Sequence, residues 1–192
     1  MNRSLVSISV IIAIATSAIA DDATATSKPV ATSRPALLKQ ALPIYAPAIS
    51  GAAINFPDAY KGKLVLVTFW ASWCPVCKRE IPYWKDAYAH FQPQGLEIIG
   101  LATDANRKRG PELVQKSVAD NGMTWEIVYD GAPDYSLKYG ANIIPAAFLV
   151  DGDTGAIVAQ GGALRKGNLE KTIAKCLETK TGRPVTTAPA KK

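Results

Sequence analysis

The feature that most constrains the fold of this chain is a buried strand that leads directly into a helix. Residues Leu64–Trp70 form an almost continuous apolar and β-branched run, which is typical of a strand buried on both faces. A helix is predicted over Pro75–Phe91, and proline suits its first position because that N–H has no partner within a helix. A strand of this kind needs a covering layer on each side of its sheet, so an α/β fold is expected.

The segments that follow continue the alternation of strands and helices. Further strands are predicted at 96–103, 125–129, 146–150 and 157–160, and further helices at 111–121 and 167–179. The last two strands flank a turn-rich loop at 151–155, which suits a hairpin. The predicted architecture is therefore a mixed central sheet with helices on both faces.

The first 20 residues have the pattern of a secretory signal peptide. Arg3 gives a positive start, residues 5–14 form a mostly apolar run, and residues 18–20, Ala-Ile-Ala, fit the small-x-small rule for cleavage. An uncleaved membrane anchor is the alternative, but the apolar run is short for a span and no basic stop-transfer cluster follows it. We expect cleavage before Asp21 and a protein that works in the periplasm or is secreted, in an oxidising space.

Three further segments are expected after the signal peptide. Residues 21–43 are rich in Ala, Thr, Ser and Pro without apolar periodicity, which predicts a flexible linker. Residues 44–180 have the size and pattern of one globular domain. Residues 181–192 resemble the linker in composition and are predicted to form a disordered tail.

The excess of positive charge lies outside the predicted domain. The chain has 22 Lys and Arg against 16 Asp and Glu, a net charge of +6, whereas residues 44–180 hold 15 and 14. A nucleic-acid-binding groove needs positive charge clustered on the folded body. No nucleic-acid partner is therefore expected.

Two of the three cysteines stand where the first buried strand passes into the helix. Cys74 and Cys77 are close enough to form a disulfide within the first helical turn. A Cys74 thiolate there would face unpaired backbone N–H groups and the positive end of the helix dipole, which would stabilise it as a nucleophile. Cys77 lies one turn further on and is expected to be more buried and to resolve a mixed disulfide formed by Cys74.

Two other interpretations of the pair are less favoured. A zinc site would have to be completed by Cys176 and His90, since the chain has no second CxxC. A purely structural disulfide that closes so short a loop would add only about 2 kcal/mol. We therefore expect redox chemistry with no bound metal and no cofactor, and we expect Cys176 to be either a core thiol on the last helix or a second redox thiol.

The sequence around the pair resembles the thioredoxin superfamily. Residues 69–78 are similar to its strand-to-helix junction, and Pro82 matches the proline that kinks its first helix. Residues 139–145 resemble the segment that ends in its cis-proline, and residues 162–169 resemble the run into its last helix. The similarity covers about residues 48–178 and keeps these motifs in order, so it implies a thioredoxin fold.

Departures from thioredoxin itself point to the secreted TlpA/ResA/DsbE branch of thiol–disulfide oxidoreductases. Thr68 stands where thioredoxin has a buried aspartate, and the chain between Ala102 and Tyr139 is long enough for an extra helix and strand before the cis-proline. The resemblance implies that Glu80 handles the proton in place of that aspartate. The spacing of three residues puts Glu80 on the same side of the helix as Cys77. A solvent-exposed Glu80 paired with a lysine is the alternative.

The resemblance also implies a docking surface for protein substrates that carry disulfides or thiols. It implies a cis bond between Ile144 and Pro145 facing the cysteines, with the backbone of Ile144 pairing with an extended substrate segment; an ordinary trans proline is the alternative. Trp73 is expected to cover the disulfide, with a plain core aromatic as the competing interpretation. Pro75 and Val76 complete the predicted substrate-binding set.

These features predict an extracytoplasmic enzyme that reduces selected protein disulfides. Family analogy adds a membrane thiol donor that re-reduces the pair, targets in cytochrome c maturation or related metalloprotein assembly, and a monomeric state. The same catalyst could run as an oxidase or isomerase, because the direction depends on the relative stability of the thiol and disulfide forms. A Cu(I)-binding assembly chaperone that uses Cys74 and Cys77 is a third possibility, for which further soft ligands are scarce.

Overall fold

The computed structural model describes residues 38–131 and 134–186, and these form one mixed α/β unit. The strands are β1 (Ile44–Pro47), β2 (Ala53–Phe56), β3 (Leu64–Trp70), β4 (Leu96–Ala102), β5 (Glu126–Tyr129), β6 (Ala146–Asp151) and β7 (Ile157–Gln160). The helices are α1 (Pro75–Phe91), α2 (Pro111–Asn121), α3 (Tyr135–Lys138) and α4 (Leu169–Thr181). Short 3₁₀ turns lie at Asp58–Tyr60, Gln92–Gln94, Thr103–Arg107 and Gly161–Leu164.

The central sheet has the strand order β5-β4-β3-β6-β7. β3 pairs with β4 in parallel and with β6 antiparallel, and β4 pairs with β5 in parallel. The antiparallel register joins Phe69 to Ala146, so the end of β3 and the start of β6 lie at the same edge of the sheet. This edge therefore receives both the segment that follows Trp70 and the segment that ends at Pro145.

The strand β3 is buried along its whole length because both faces of the sheet are covered. Leu64, Leu66 and Trp70 belong to one core cluster, which includes apolar side chains of α1 and α4. The alternate residues of β3 belong to a second cluster, which includes side chains of β1, β2 and α3. Each fully buried side chain of this size contributes roughly 1.5–3 kcal/mol, so the two clusters fix the strand that carries the redox pair at its end.

Residues 38–49 contact both outer strands of the central sheet. On the β7 side, the N–H of Ala41 donates to the carbonyl of Gly155 and the N–H of Ile157 donates to the carbonyl of Lys39, each at 2.9 Å. On the β5 side, Ala48 forms a bridge with Val128, and the N–H of Ile49 donates to the carbonyl of Ile127 at 2.8 Å. This segment therefore belongs to the folded unit.

Several boundaries differ from those expected from sequence. The described fold includes residues 38–43, which were expected to lie in the linker, because their backbone groups pair with β7 and Ala41 is buried. At the other end, α4 continues to Thr181 and Thr186 contacts Gln94, so the ordered chain extends past position 180. The predicted signal peptide, residues 21–37 of the linker and residues 187–192 of the tail lie outside the described residues.

Within residues 38–131 and 134–186, no helix combines the length and the apolar character needed to cross a membrane.

Candidate active site

The two cysteines form a disulfide at the N-terminus of α1. Cys74 is the N-cap residue with an extended backbone, and its Sγ accepts a hydrogen bond from the N–H of Cys77 at 3.1 Å. Pro75 occupies the first turn, where its missing N–H leaves no helical bond unmade. The helix end therefore presents a backbone donor to the Cys74 sulfur, and a thiolate at this atom would be stabilised.

Cys77 is slightly more buried than Cys74, as the sequence predicts. The exposed fraction is 4% for Cys74 and 0% for Cys77. Val76, between them, is 43% exposed and contributes no polar group. Both cysteines are thus buried, and the roles of Cys74 as nucleophile and Cys77 as resolving cysteine stay predictions.

The peptide bond between Ile144 and Pro145 is cis, and it lies at the edge of the sheet where β3 ends. Pro145 is buried, whereas Ile144 is half-buried and packs against the core cluster that contains both cysteines. The fold thus places two segments that are far apart in sequence, the one after β3 and the one that ends at Pro145, at the same edge of the sheet. The substrate-docking roles of these residues stay predictions.

A cavity of about 350 Å³ lies beside the redox pair. Trp73, Leu137 and Ile144 give it apolar walls, while Arg107 and Asp134 give it one charge of each sign. Leu137 is 67% exposed, and Ile143 of the adjoining segment is 83% exposed. Exposed apolar side chains therefore lie in and next to the lining of this cavity.

Trp73 is half-buried and holds a cation on its outer face. The guanidinium carbon of Arg107 lies 3.6 Å from the centre of the Trp73 ring, which is a close cation–π contact. The indole also packs against the core cluster that includes Cys74 and Cys77. Trp73 is thus partly exposed and packs on the core, and its expected role of covering the disulfide stays a prediction.

Glu80 is held by the turn that precedes α4. The side chain is 14% exposed, and its Oε1 lies 3.9 Å from Nη1 of Arg165. Its Oε2 accepts a hydrogen bond from the N–H of Lys166 at 3.3 Å. The ion-pair partner of Glu80 is thus an arginine, not a lysine, and the carboxylate is largely withdrawn from solvent.

The position that precedes the Phe-Trp pair of β3 holds a buried threonine. Thr68 is fully buried, and its Oγ1 donates to the carbonyl of Ile99 at 3.5 Å. A threonine has no carboxylate with which to accept a proton at this point. The proton-handling role implied for Glu80 stays a prediction.

Sequence reasoning missed Asp104, which anchors the loop in front of Cys74. This aspartate is fully buried, and its carboxylate accepts hydrogen bonds from both the N–H of Ser72, at 3.0 Å, and the Ser72 hydroxyl. Nε of Arg109 lies 3.7 Å from the same carboxylate. The available signal was a carboxylate directly after the strand predicted over 96–103, at the edge that carries the site.

The third cysteine lies apart from the redox pair. Cys176 is half-buried on α4 and lines a different groove with Leu64 and Val158. Burial raises the pKa of its thiol, which makes it a poor nucleophile near neutral pH.

A metal centre finds little support among the described side chains. In residues 38–131 and 134–186, no group of three or more His, Cys, Asp or Glu is placed to hold a metal ion. Met123, which could add a soft ligand for Cu(I), is buried in the core.

Comparison with known proteins agrees with this geometry. The model of the AhpC/TSA family matches residues 38–160. The thiol–disulfide oxidoreductase ResA of Geobacillus thermodenitrificans is 37% identical over 93 residues, which cover 48% of this chain and 51% of that protein. ResA of Bacillus thuringiensis subsp. konkukian is 30% identical over 127 residues, which cover 66% of this chain and 70% of that protein. The chain thus spans from about half to about two thirds of the length of these relatives.

A solved structure extends the likeness to three dimensions. The thioredoxin domain of a thiol–disulfide oxidoreductase from Bacteroides vulgatus is 31% identical and superposes with a TM-score of 0.65. The match covers 74% of this chain and 99% of that domain. The arrangement of sheet and helices is therefore similar to that of the thioredoxin domain of a thiol–disulfide oxidoreductase.

Proposed function

This chain belongs to the AhpC/TSA family and has the CxxC pair of a thiol–disulfide oxidoreductase, and from that membership we propose that it reduces selected protein disulfides outside the cytoplasm. The observation that carries the thiol–disulfide exchange is the hydrogen bond from the N–H of Cys77 to Sγ of Cys74 at 3.1 Å, whereas the reducing direction rests on family analogy. A helix end that already donates to this sulfur stabilises the thiolate needed for attack.

The first step is attack by the Cys74 thiolate on one sulfur of a substrate disulfide. A bond forms between Cys74 and that sulfur, and the substrate disulfide breaks. The second substrate sulfur leaves as a thiolate and takes a proton from water. The 4% exposure of Cys74 suits this approach, since a protruding substrate loop can reach its sulfur along the edge of the sheet.

The second step is resolution by Cys77. The Cys77 thiol gives its proton to the carboxylate of Glu80, directly or through one water, and the resulting thiolate attacks Sγ of Cys74. The bond between Cys74 and Cys77 forms, the mixed disulfide between Cys74 and the first substrate sulfur breaks, and that sulfur leaves as a thiolate. Two electrons have then passed from the pair to the substrate, and the enzyme is left in the disulfide state seen in the structure.

The substrate is expected to dock as an extended segment beside Ile144 and Pro145. The cavity of about 350 Å³ between Trp73 and Ile144 is large enough to receive a side chain next to the substrate cysteine. Pro75 and Val76, both exposed at the start of α1, complete the surface. These five residues make up the proposed docking surface.

The cellular setting forms part of the same proposal. The signal-peptide pattern of residues 1–20 supports export to the periplasm or beyond, where an oxidising environment would return the pair to the disulfide. A reductase there needs a dithiol donor, which we place in the membrane by family analogy. Apocytochrome c and copper-site proteins, whose metal-site cysteines must be reduced before assembly, are the proposed substrate classes, and the enzyme acts as a monomer.

Trapping tests the proposal in the native compartment. The variant Cys77→Ala can form the mixed disulfide but cannot resolve it, so it should accumulate covalent adducts that thiol reagents release. Non-reducing gels followed by mass spectrometry of the attached proteins would identify the substrates. The wild-type protein should also reduce insulin with dithiothreitol as donor.

The matched controls are Cys74→Ala, which removes the nucleophile, and Cys176→Ala, which removes the thiol outside the pair. Adducts should be absent from a Cys74→Ala/Cys77→Ala protein and unchanged in a Cys77→Ala/Cys176→Ala protein. A lack of adducts together with a lack of insulin reduction would rule out the enzyme. A reduction potential near −120 mV, at about the strongly oxidising end of the scale, would show instead an oxidase.

A further inference from the structure

One side chain outside the predicted site contacts both the cis-proline segment and the helix α1, which begins at the redox pair. Arg165 lies in the turn between the 3₁₀ segment Gly161–Leu164 and α4. Its Nη2 donates a hydrogen bond to the carbonyl oxygen of Pro145 at 2.5 Å, and its Nη1 lies 3.9 Å from Oε1 of Glu80. A single guanidinium thus links the segment that carries the cis-proline to the carboxylate on α1.

The turn that carries Arg165 is itself firmly placed. Leu164 is fully buried on one side, and the carbonyl of Arg165 accepts hydrogen bonds from the N–H groups of Asn168 and Leu169, at 2.9 and 3.0 Å, on the other. The backbone N–H of Lys166 donates to Oε2 of Glu80 at 3.3 Å. Both carboxylate oxygens of Glu80 therefore face one anchored turn.

Arginine suits this position for a geometric reason. Its planar guanidinium presents several donors in a fixed fork, so it can reach a carbonyl and a carboxylate at once. Lysine offers a single ammonium on a flexible stem and cannot fix two partners in the same way. Because the Arg165 side chain is 39% exposed, the ion pair adds little to stability, and its effect should be positional.

We propose that Arg165 is a positioning residue that holds the Glu80 carboxylate in register with the cis-Pro145 segment. The inference rests on the proposed function, because it assigns to Arg165 a task only if Glu80 accepts the Cys77 proton. The guanidinium keeps the proton acceptor and the substrate-docking edge in one fixed relation while a mixed disulfide is being resolved. Arg165 acts through Glu80 and touches neither sulfur.

The two steps of exchange can be followed separately with 5,5′-dithiobis(2-nitrobenzoate) as the probe. In a Cys176→Ala background, which removes the free thiol outside the pair, the reduced enzyme releases one thionitrobenzoate when Cys74 attacks and a second when Cys77 resolves the mixed disulfide. We expect Arg165→Gln to slow the second release by about tenfold and to leave the first unchanged within about twofold. Glu80→Gln should slow the second release by about a hundredfold or more.

A double-mutant cycle then separates action through Glu80 from a general structural effect. In the Glu80→Gln background, Arg165→Gln should slow the second release no further. Arg165→Lys, which retains the charge and one donor group, should recover part of the rate of the second release. This conservative variant also provides a test if Arg165→Gln folds poorly. Arg183→Gln, an exposed arginine after α4, is the matched control and should change neither step.

The possible failures are distinguishable. If Glu80→Gln slows the second release but Arg165→Gln does not, the inference about Arg165 is overturned and the proposed function stands. An equal effect of Arg165→Gln with and without Glu80 overturns it too, because the arginine then acts by another route. If Glu80→Gln slows neither step, the proton-handling role of Glu80 and the inference about Arg165 both fall, while adduct trapping by Cys77→Ala still reports on the enzyme.

Discussion

Asp104 shows at the level of one residue how the redox loop is held in place. Its buried carboxylate accepts two hydrogen bonds from Ser72, two positions before Cys74. The neighbouring Thr103 donates from Oγ1 to the carbonyl of Trp70 at 3.2 Å. The end of β4 therefore fixes the chain between β3 and α1, which sets the position of the Cys74 sulfur.

The substitution Asp104→Asn tests this anchoring. An amide keeps one acceptor oxygen but places its NH₂ group against one of the two Ser72 donors, so a buried donor loses its partner. We expect the free energy of unfolding to fall by about 1–3 kcal/mol, measured by urea denaturation, with slower insulin reduction.

Asp120→Asn is the matched control because Asp120 is exposed on α2 and pairs only with Lys116 one turn away. It should change the free energy of unfolding by less than about 0.5 kcal/mol. Equal effects of the two substitutions would contradict the anchoring role of Asp104.

At the level of elements, α4 is fixed at both ends. Its first residues follow the turn that holds Glu80, and its last turn carries Lys180. Nζ of Lys180 lies 2.9 Å from Oδ2 of Asp151 at the end of β6, and it also contacts Asp153 in the following turn. The helix is thereby tied to the sheet at the end opposite to the redox pair.

Acid should weaken this attachment. Burial alone would raise the pKa of Asp151, but hydrogen bonds from Lys180 and from two backbone N–H groups lower it overall. The same lysine and the N–H of Gly62 lower the pKa of Asp153. Because a carboxyl pKa is about 3.9 in the unfolded chain, the stabilisation is present above that pH and is lost as the pH falls through the folded-state pKa.

We therefore expect Lys180→Met to destabilise the protein near pH 7, by about 1 kcal/mol for the contact with Asp151 alone, and to destabilise it less near pH 3. Urea denaturation at the two pH values measures the difference. Lys175→Met, on an exposed position of α4, is the control and should show no such dependence on pH. An effect of Lys180→Met that is the same at both pH values would argue against the linkage.

At the level of the whole molecule, the sequence predicts the parts whose pattern is local. The bounds of β3 and α1 agree with the prediction because an uninterrupted apolar run and a proline in the first helical turn mark them. The thioredoxin-like fold, the family and the oxidoreductase class are confirmed by the comparisons. The roles of Glu80 and Pro145 stay predictions.

Other parts depend on long-range pairing and leave little trace in the sequence. The strands β1 and β2 have four residues each, and Pro47 and Asn55 interrupt their apolar pattern; α3 is equally short. The contacts of residues 38–43 are made largely by the backbone, which any composition can supply. Arg165 meets Glu80 only because the turn before α4 packs beside α1, a relation that no spacing along the chain reveals.

A comparison of two truncated proteins tests where the fold begins. A chain that starts at residue 38 keeps the pairing with β7, whereas one that starts at residue 44 loses it and also leaves the hydroxyl of Tyr139 without the Leu42 carbonyl, its acceptor at 2.6 Å. We expect the shorter protein to be less stable by roughly 2–4 kcal/mol in thermal or urea unfolding. Equal stability of the two proteins would instead support a folded domain that begins at residue 44.

The contacts that residues 38–49 make with β5 and β7 also affect the tendency of the protein to aggregate at high concentration. The outer strands of an open sheet have unpaired backbone N–H and C=O groups along one side. A strand of another chain can pair with these groups, and such pairing begins many aggregates. Here each outer strand already has some of its outward-facing groups bonded to the same stretch of the protein's own chain. By bonding to groups on both outer strands, residues 38–49 hinder edge-to-edge pairing of the sheet with other copies of the protein.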